Sequence, residues 1–128
     1  MGNHGKFHWN ELMTRDVDAA KKFYADTIGW SFDEFPMPEG MYYVAMLDGS
    51  PVGGMMDMTG ITPPEVPPHW FSYLEVDDVE ARLLKLKEAG GEVLREPFDV
   101  PDVGRIAIVT DATGAALGLI TPVVMTPE

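Results

Sequence analysis

The sequence predicts an α+β fold made of two βαβββ units, and three observations point to it. A strand-like run from Phe7 to Thr14 leads directly into a helix-like run from Val17 to Ile28. Three further strand-like runs follow, and the same order of elements begins again at His69. The chain has 128 residues, enough for one core but few for two independent ones. We therefore expect one domain that uses a single supersecondary unit twice.

Start and stop signals define the elements of the first half. Large side chains alternate over residues 7–14, as in a strand with one buried face. Asp16 stands at the N-cap position of the helix, and Gly29 supplies its C-terminal stop. The next strands are expected at residues 30–35, 41–47 and 52–58, with turns at 36–40 and 48–50.

A proline-rich segment at residues 59–68 separates the halves. Its four prolines cannot donate ladder hydrogen bonds and favour extended backbone, so we expect a stiff linker. Asp77 and Glu80 have the spacing of a capping box for a second helix at 79–89. The other second-half elements are strands at 69–76, 92–98, 105–110 and 116–121. Within a single domain, 1–128, module one covers about 6–58 and module two about 69–122.

Composition and charge exclude several classes of function. The absence of cysteine rules out disulfides, thiolate nucleophiles and cysteine-based metal sites. A formal charge of -12 opposes binding to nucleic acid or anionic lipid, because the nine Lys and Arg residues form no basic patch. No apolar run approaches the roughly 20 residues of a membrane span, and none resembles a secretory signal. We expect a cytoplasmic protein without nucleic-acid or membrane partners.

Several local strings are similar to those of a known family. The run from Asp16 to Tyr24, followed by Ile28-Gly29-Trp30, resembles the first module of the vicinal oxygen chelate superfamily, the glyoxalase, bleomycin-resistance and extradiol-dioxygenase group. Residues 89–93, 102–109 and 111–115 resemble its second module, with Ala112 replacing the proline of a family hairpin. The resemblance covers about residues 7–122. It implies curved sheets that form an incomplete barrel around a cavity.

The resemblance also implies where a metal ion would be held. Metal-using members bind a divalent cation through four inward side chains, usually His, Glu or Gln, from the first and last strand of each module. By alignment these positions are Trp9, Gly54, Phe71 and Gly118. None of the four can coordinate a metal. His8 and His69 lie nearby on different strands without a placed carboxylate partner, so we expect no metal and no cofactor.

The neighbours of these positions predict an aromatic pocket. Side chains two residues apart on a strand face the same side, and Met55 or Met56 should reach the cavity wall after Gly53-Gly54. The expected ligand-binding residues are Trp9, Glu11, Met13, Met55, Met56, His69, Phe71 and Tyr73. Aromatic faces with a few polar groups suit a flat or hydrophobic organic ligand. The alternative is that these side chains are ordinary core filling.

Glu11 is the candidate catalytic residue. A carboxylate between Trp9 and Met13 on an inward face would be desolvated, and desolvation raises the pKa of a carboxyl group toward the range of acid–base catalysis. The alternative is a structural glutamate with an arginine or backbone partner.

Three hypotheses of function follow. The first is a metal-free protein that binds, sequesters or acts on a small hydrophobic or aromatic compound. The second is a lyase, isomerase or hydroxylase-like enzyme that uses Glu11 as acid or base, with Tyr73 as polar partner. The third is a module without ligand that serves as an association partner. A homodimer is possible, because exposed strand edges favour pairing.

Overall fold

The computed structural model describes residues 3–37, 40–100 and 103–123. Its elements follow in the order β1 (Phe7–Thr14), α1 (Val17–Ile28), β2 (Ser31–Met37), β3 (Gly40–Leu47), β4 (Ser50–Asp57), β5 (His69–Glu75), α2 (Val79–Glu88), β6 (Glu92–Val100), β7 (Gly104–Thr110) and β8 (Ala116–Pro122). The predicted α+β class is confirmed, and so is the repeated order of one strand, one helix and three strands.

The chain folds as two compact units. The first unit is Trp9–Phe71. The second unit combines the segment that ends at His8 with the segment that begins at Ser72. Strands β1 and β5 therefore each contribute residues to both units.

In the first unit, β2 pairs with β3 and β3 with β4, both antiparallel, while β1 pairs with β4 in parallel. Glu11 lies opposite Gly54 in this register. Helix α1 packs on the face of the sheet that carries Tyr43, because Lys21 Nζ lies 4.3 Å from the centre of the Tyr43 ring. Tyr43 is paired with Met55 and alternates with Tyr42 along β3. Glu11, Gly54 and Tyr42 consequently share the face opposite α1.

The second unit repeats this pattern. Strand β5 pairs in parallel with β8, which pairs antiparallel with β7, and β7 pairs antiparallel with β6. A core of buried side chains lies beneath α2 and comprises Val76, Val79, Leu83, Ala107, Val109 and Leu119. Tyr73 lies opposite Gly118, which lies opposite Ile108. These three residues alternate with the core residues and so occupy the face opposite α2.

Helix α1 has the ends that the sequence predicts. The Asp16 side chain accepts a hydrogen bond from the backbone N–H of Ala19 at 3.0 Å. Gly29 adopts a left-handed conformation with φ 82°, which glycine reaches at little cost. Among the residues that the structure describes, neither helix is long and apolar enough to cross a membrane.

The start of α2 corrects the predicted capping box. The N-cap is Asp78, whose side chain accepts a hydrogen bond from a backbone N–H of the first turn at 3.2 Å. Asp77 instead accepts two hydrogen bonds from Arg82, both at 2.9 Å. Glu80 accepts a hydrogen bond from Arg105 at 2.6 Å. The capping residue is therefore one position later than predicted, because the preceding carboxylate is held by an arginine.

Several predicted boundaries are also corrected. Strand β2 begins at Ser31 and includes Pro36 and Met37, which were expected in a turn. Residues 38–39 of that turn, and residue 102 of the family-like string, lie outside the described residues. Strand β6 continues to Val100, beyond the predicted end at residue 98.

The linker at residues 59–68 contains turns, whereas extended backbone was expected. Thr62 N–H bonds to the carbonyl of Met58, and Val66 N–H to that of Pro63. The Arg15 guanidinium also donates to the carbonyls of Val66 at 2.7 Å and Pro63 at 2.9 Å. Hydrogen bonds to these carbonyls therefore hold the segment in a turned path.

Two adjacent leucines of α2 provide a test of the core in the second unit. Leu83 is 6% exposed, whereas Leu84 is 67% exposed. We expect Leu83→Ala to lower the free energy of unfolding by about 2–5 kcal/mol, since it leaves a cavity beneath the helix. Leu84→Ala should change it by at most about 0.5 kcal/mol. Urea unfolding measures both, and equal effects would contradict the assigned core.

Candidate functional site

Three side chains form a hydrogen-bonded chain on the face opposite α1. Trp9 Nε1 donates to Tyr42 Oη at 2.8 Å, and the Tyr42 hydroxyl donates to Glu11 Oε1 at 3.0 Å. Glu11 is only 6% exposed, while Trp9 and Tyr42 are half-buried. An indole N–H can only donate, so the Tyr42 oxygen accepts from Trp9 and directs its own proton to Glu11. The chain thus has a fixed direction and ends on a carboxyl oxygen.

Gly54 makes room for this chain. A Cβ atom on Gly54 would collide with the Tyr42 hydroxyl and would lie 2.9 Å from Trp9 Nε1. Glycine is required here because the Tyr42 and Trp9 side chains approach the strand backbone closely. The requirement is for space and not for the unusual backbone conformations that glycine can adopt. The space that a side chain at position 54 would fill is therefore occupied by Tyr42 and Trp9.

The surroundings keep the Tyr42 phenol protonated. Burial raises the pKa of Tyr42 above its ordinary value of 10.0, and the nearby negative charge of Glu11 raises that pKa further. The hydrogen bond from Trp9 acts in the opposite direction, because it stabilises the phenolate. Across the physiological pH range the hydroxyl is consequently a neutral donor to Glu11.

A similar arrangement occurs in the second unit at Gly118. A Cβ atom on Gly118 would collide with the Tyr73 ring, whose Cγ would be 3.1 Å away. Both glycines lie on the last strand of their module, at positions where the resemblance described above implies a metal ligand in metal-using members. At both positions aromatic atoms occupy the space where a ligating side chain would begin.

The side chains around Gly54 do not provide suitable ligands for a divalent metal ion. Indole nitrogen donates a hydrogen bond and has no lone pair to offer, the phenol of Tyr42 is kept protonated, and glycine has no side chain. Glu11 supplies a single carboxylate beside them. Within residues 3–37, 40–100 and 103–123, no group of three or more His, Asp or Glu side chains is arranged to hold a metal.

The other expected ligand-binding residues do not all lie on the same face of the sheet as Glu11. Met13 is paired with Met56, and both lie on the face of Glu11. Met55 is 1% exposed and is paired with Tyr43, so it faces α1. His69 lies outside the hydrogen-bonded chain, with its Nδ1 2.8 Å from the carbonyl of Pro67.

Phe71 and Tyr73 were the other expected aromatic residues. The Phe71 ring lies 6.3 Å from the His69 ring, measured between centroids, in the first unit. Tyr73 belongs to the second unit.

The residue that the sequence did not single out is Tyr42. Its alternation with Tyr43 predicts that the two tyrosines point to opposite faces of the sheet. Its contact with Glu11 depends on the register of β3 against β4, which alternation does not predict.

Removal of the Tyr42 hydroxyl tests the chain. Tyr42→Phe takes the acceptor from Trp9 Nε1 and a donor from Glu11, so we expect about 1–3 kcal/mol of lost unfolding free energy. Tyr43→Phe is the matched control, because this neighbouring ring faces α1 and keeps its contact with Lys21. We expect it to change stability by at most about 0.5 kcal/mol. Equal losses in urea unfolding would exclude a special role for the Tyr42 hydroxyl.

The raised pKa of Tyr42 also predicts a dependence of stability on pH. Because the folded protein binds this proton more tightly than the unfolded chain, its contribution is complete below pH 10 and is lost as the pH rises further. The unfolding free energy of the wild type should fall relative to Tyr42→Phe by up to about 1.4 kcal/mol per pH unit. Tyr43→Phe should follow the wild type. Parallel curves for wild type and Tyr42→Phe above pH 10 would contradict the assignment.

Comparisons with known proteins are consistent with this architecture. Residues 6–119 match the family model described as Glyoxalase/Bleomycin resistance protein/Dioxygenase superfamily. The chain is 43% identical over 117 residues to a protein of Mycobacterium tuberculosis named "Putative glyoxylase CFP32", covering 90% of this chain and 45% of the relative. It is 31% identical over 123 residues to the "Anthracycline biosynthesis protein DnrV" of Streptomyces peucetius, covering 87% and 45%. The chain thus spans about half the length of these relatives.

Solved structures give the same fold at low sequence identity. The methylmalonyl-CoA epimerase of Mycobacterium tuberculosis matches with a TM-score of 0.67 at 17% identity, over 97% of this chain and 93% of that one. The hypothetical protein BH1468 of Bacillus halodurans C-125 matches with a TM-score of 0.73 at 12% identity, over 97% and 99%. Together with the family match, these findings show that the chain belongs to the glyoxalase/bleomycin resistance protein/dioxygenase superfamily.

Proposed function

We propose that this protein binds a small hydrophobic or aromatic compound on the face opposite α1, without a metal ion. The observation that carries the proposal is the hydrogen-bonded chain of Trp9, Tyr42 and Glu11 above Gly54. The chain brings two aromatic rings and one acceptor group together beside Gly54, a position for which the family resemblance implies a metal ligand in metal-using members.

The chemistry of this face supports such a ligand. Sites for small organic molecules are mostly apolar, with a few polar groups that fix orientation. The rings of Trp9 and Tyr42 are held in place by hydrogen bonds and are half-buried, so part of each remains available for contact. Met13 and Met56 share the face and supply deformable thioethers. Glu11 provides an acceptor for a ligand hydroxyl or N–H group.

The names of two relatives agree with a small organic ligand. One is named for anthracycline biosynthesis, and anthracyclines contain fused aromatic rings. The other is named a putative glyoxylase. Since both relatives are about twice as long as this chain, their names support only the general class of compound.

A second candidate function is acid–base catalysis by Glu11. The observation that favours it is a carboxyl group, 6% exposed, with the Tyr42 hydroxyl donating at 3.0 Å. Such a group can accept a proton from a substrate C–H or O–H bond, while the phenol keeps the carboxylate oriented. This assigns the role of polar partner to Tyr42, where the sequence favoured Tyr73. The competing interpretation is that Glu11 only satisfies the donors around it.

Binding of 2-naphthol tests the first proposal, since this probe has a flat apolar body and one hydroxyl donor. We expect the Trp9 indole N–H and the Gly54 amide to shift in two-dimensional NMR spectra. Glu11→Gln should weaken 2-naphthol about tenfold and leave naphthalene nearly unchanged, because the probe's hydroxyl loses a charged acceptor. Glu65→Gln, an exposed site in the linker, is the matched control. Binding that shifts neither Trp9 nor Gly54 would overturn the proposal.

Hydrogen exchange in D2O separates binding from catalysis. Aryl ketones supply a C–H bond next to a carbonyl group, and NMR measures the loss of that proton. Acid–base catalysis by Glu11 predicts protein-dependent exchange that is lost in Glu11→Gln and retained in Glu65→Gln. Exchange that is the same in both variants would remove Glu11 from the mechanism, and it would leave the binding proposal untouched.

A further inference from the structure

We propose that the first unit carries an interaction surface for a proline-rich segment of another protein, flanked by basic residues. The surface is an aromatic cluster of five side chains on the face of the sheet on which α1 packs. Helix α1 contributes Phe23 and Tyr24, the segment after it contributes Trp30, and β2 and β5 contribute Phe32 and Trp70. All five belong to the first unit. The small-molecule site proposed above lies on the opposite face, so the two proposals are independent.

The register of the strands places the cluster on the α1 face. Phe32 lies opposite Ala45, which lies opposite Gly53 and is two residues from Tyr43. A Cβ atom on Gly53 would be 4.0 Å from Cζ3 of the Trp70 ring. Because alternate residues of a strand face the same side, these contacts lie on the face that carries Tyr43 and α1.

Mutual contacts fix the orientation of the three central rings. Tyr24 and Trp30 are stacked, with 5.1 Å between ring centroids and 23° between ring planes. The Trp70 ring stands at 81° to both, with its centroid 5.8 Å from that of Tyr24 and 6.1 Å from that of Trp30. The Trp70 indole N–H also donates to the Tyr24 hydroxyl oxygen at 3.3 Å. Rings held in this way form a corner of perpendicular apolar surfaces and need little further ordering when a partner binds.

Much of the cluster is open to solvent. Trp70 is 43% exposed and Phe23 is 58% exposed, and Ile28 at the end of the same helix is 52% exposed. No residue of α1, all of which the structure describes, is buried. A patch of large, exposed apolar side chains is typical of an interaction site.

The polar atoms of the cluster are hydrogen-bond donors. An indole N–H only donates, so the Tyr24 oxygen accepts from Trp70 and its own proton remains for another acceptor. Within the described part of the chain, neither this proton nor the Trp30 indole N–H has a partner. The Trp30 nitrogen is not enclosed, since no fully buried side-chain N or O atom among the described residues lacks a partner. A matching partner is therefore apolar and brings acceptors.

A proline-rich segment has this combination of groups. Its rings are apolar, and each proline has a carbonyl acceptor but no backbone N–H. Other peptides would bring N–H groups, and sugars would bring hydroxyl groups, for which the side chains of the cluster supply no carboxylate, amide or carbonyl acceptor. Proline-rich chains also adopt an extended helix before they bind, and grooves lined by aromatic side chains are a recurring way of recognising them.

Charge selects basic residues beside the prolines. The first unit contains ten acidic and three basic residues. Two of the three, Lys21 and Lys22, are each paired with an acidic side chain, at 2.9 and 2.8 Å. The negative field attracts arginine or lysine and repels an acidic segment. It also opposes a second copy of this chain as the partner, because the formal charge of each copy is -12.

Three blocked peptides test the proposal with the full chain. The first has six prolines between two arginines, the second replaces the prolines with alanines, and the third replaces the arginines with glutamates. We expect the first to bind about tenfold or more tightly than either analogue in calorimetry. Added salt should weaken its binding. The indole N–H signals of Trp30 and Trp70 should shift in NMR spectra, while that of Trp9 should not.

Three variants locate the binding surface. Trp70→Leu removes one side of the corner and should weaken the first peptide about tenfold or more. Phe35→Leu is the matched control and should keep the affinity, because this 48% exposed ring is paired with Tyr42 on the opposite face. Trp30→Phe keeps a ring and loses the N–H donor, so we expect a loss of about three- to tenfold. An unchanged Trp9 indole signal shows that a variant is folded.

Four outcomes would overturn the proposal. Three are equal binding of the first peptide and either analogue, no binding of the first peptide up to its solubility limit, and unchanged affinity in folded Trp70→Leu and Trp30→Phe. The fourth is a shift of the Trp30 and Trp70 signals with protein concentration alone, which would identify a second copy as the occupant. Binding of 2-naphthol reports on Trp9 and Gly54, so failure on one face is distinguishable from failure on the other.

Discussion

The close approach of aromatic side chains to strand backbone at Gly54 and Gly118 is the constraint on which this account depends. In each unit the last strand offers a glycine where a Cβ atom would collide with Tyr42 or Tyr73. At Gly54 this lets a phenol and an indole lie over the strand and form a directed hydrogen-bonded chain that ends on Glu11. Any larger residue at position 54 would displace the Tyr42 hydroxyl and with it the shared partner of Trp9 and Glu11.

The same constraint supports our proposal that this site works without a metal ion. A metal ion needs several lone pairs directed at one point, whereas these positions offer one carboxylate, a protonated phenol, an indole N–H and glycine backbone. In this proposal, hydrogen bonds and ring contacts hold the side chains of the site in position. A buried acceptor beside oriented aromatic rings can select organic ligands by shape and by a single polar contact.

The sequence predicted the repeated βαβββ order because strand periodicity, the Asp16 cap and the Gly29 stop are local signals. It missed that Asp78 caps α2, since the choice depended on Arg82 binding Asp77. Trp9 was identified from the alignment that the family resemblance implies, and Glu11 from alternation with Trp9 along the same strand. Tyr42 was not, because its contact requires the register of β3 against β4, which local patterns do not encode. The register of β6 against β7 shifts between Val93 and Arg95, and strict alternation could not predict this bulge either. A cytoplasmic location and a homodimer remain predictions.

The central claim is our proposal that the hydrogen-bonded side chains of Trp9, Tyr42 and Glu11 form a site that holds no metal ion. Elemental analysis of protein purified without chelators, after growth with added Zn²⁺, Ni²⁺, Co²⁺, Mn²⁺ and Fe²⁺, tests it most directly. The account predicts much less than one ion per chain and the same trace content in Glu11→Gln, because the local donor set does not fit a divalent cation. One ion per chain in the wild type, lost in Glu11→Gln, would contradict it and would make Glu11 a metal ligand.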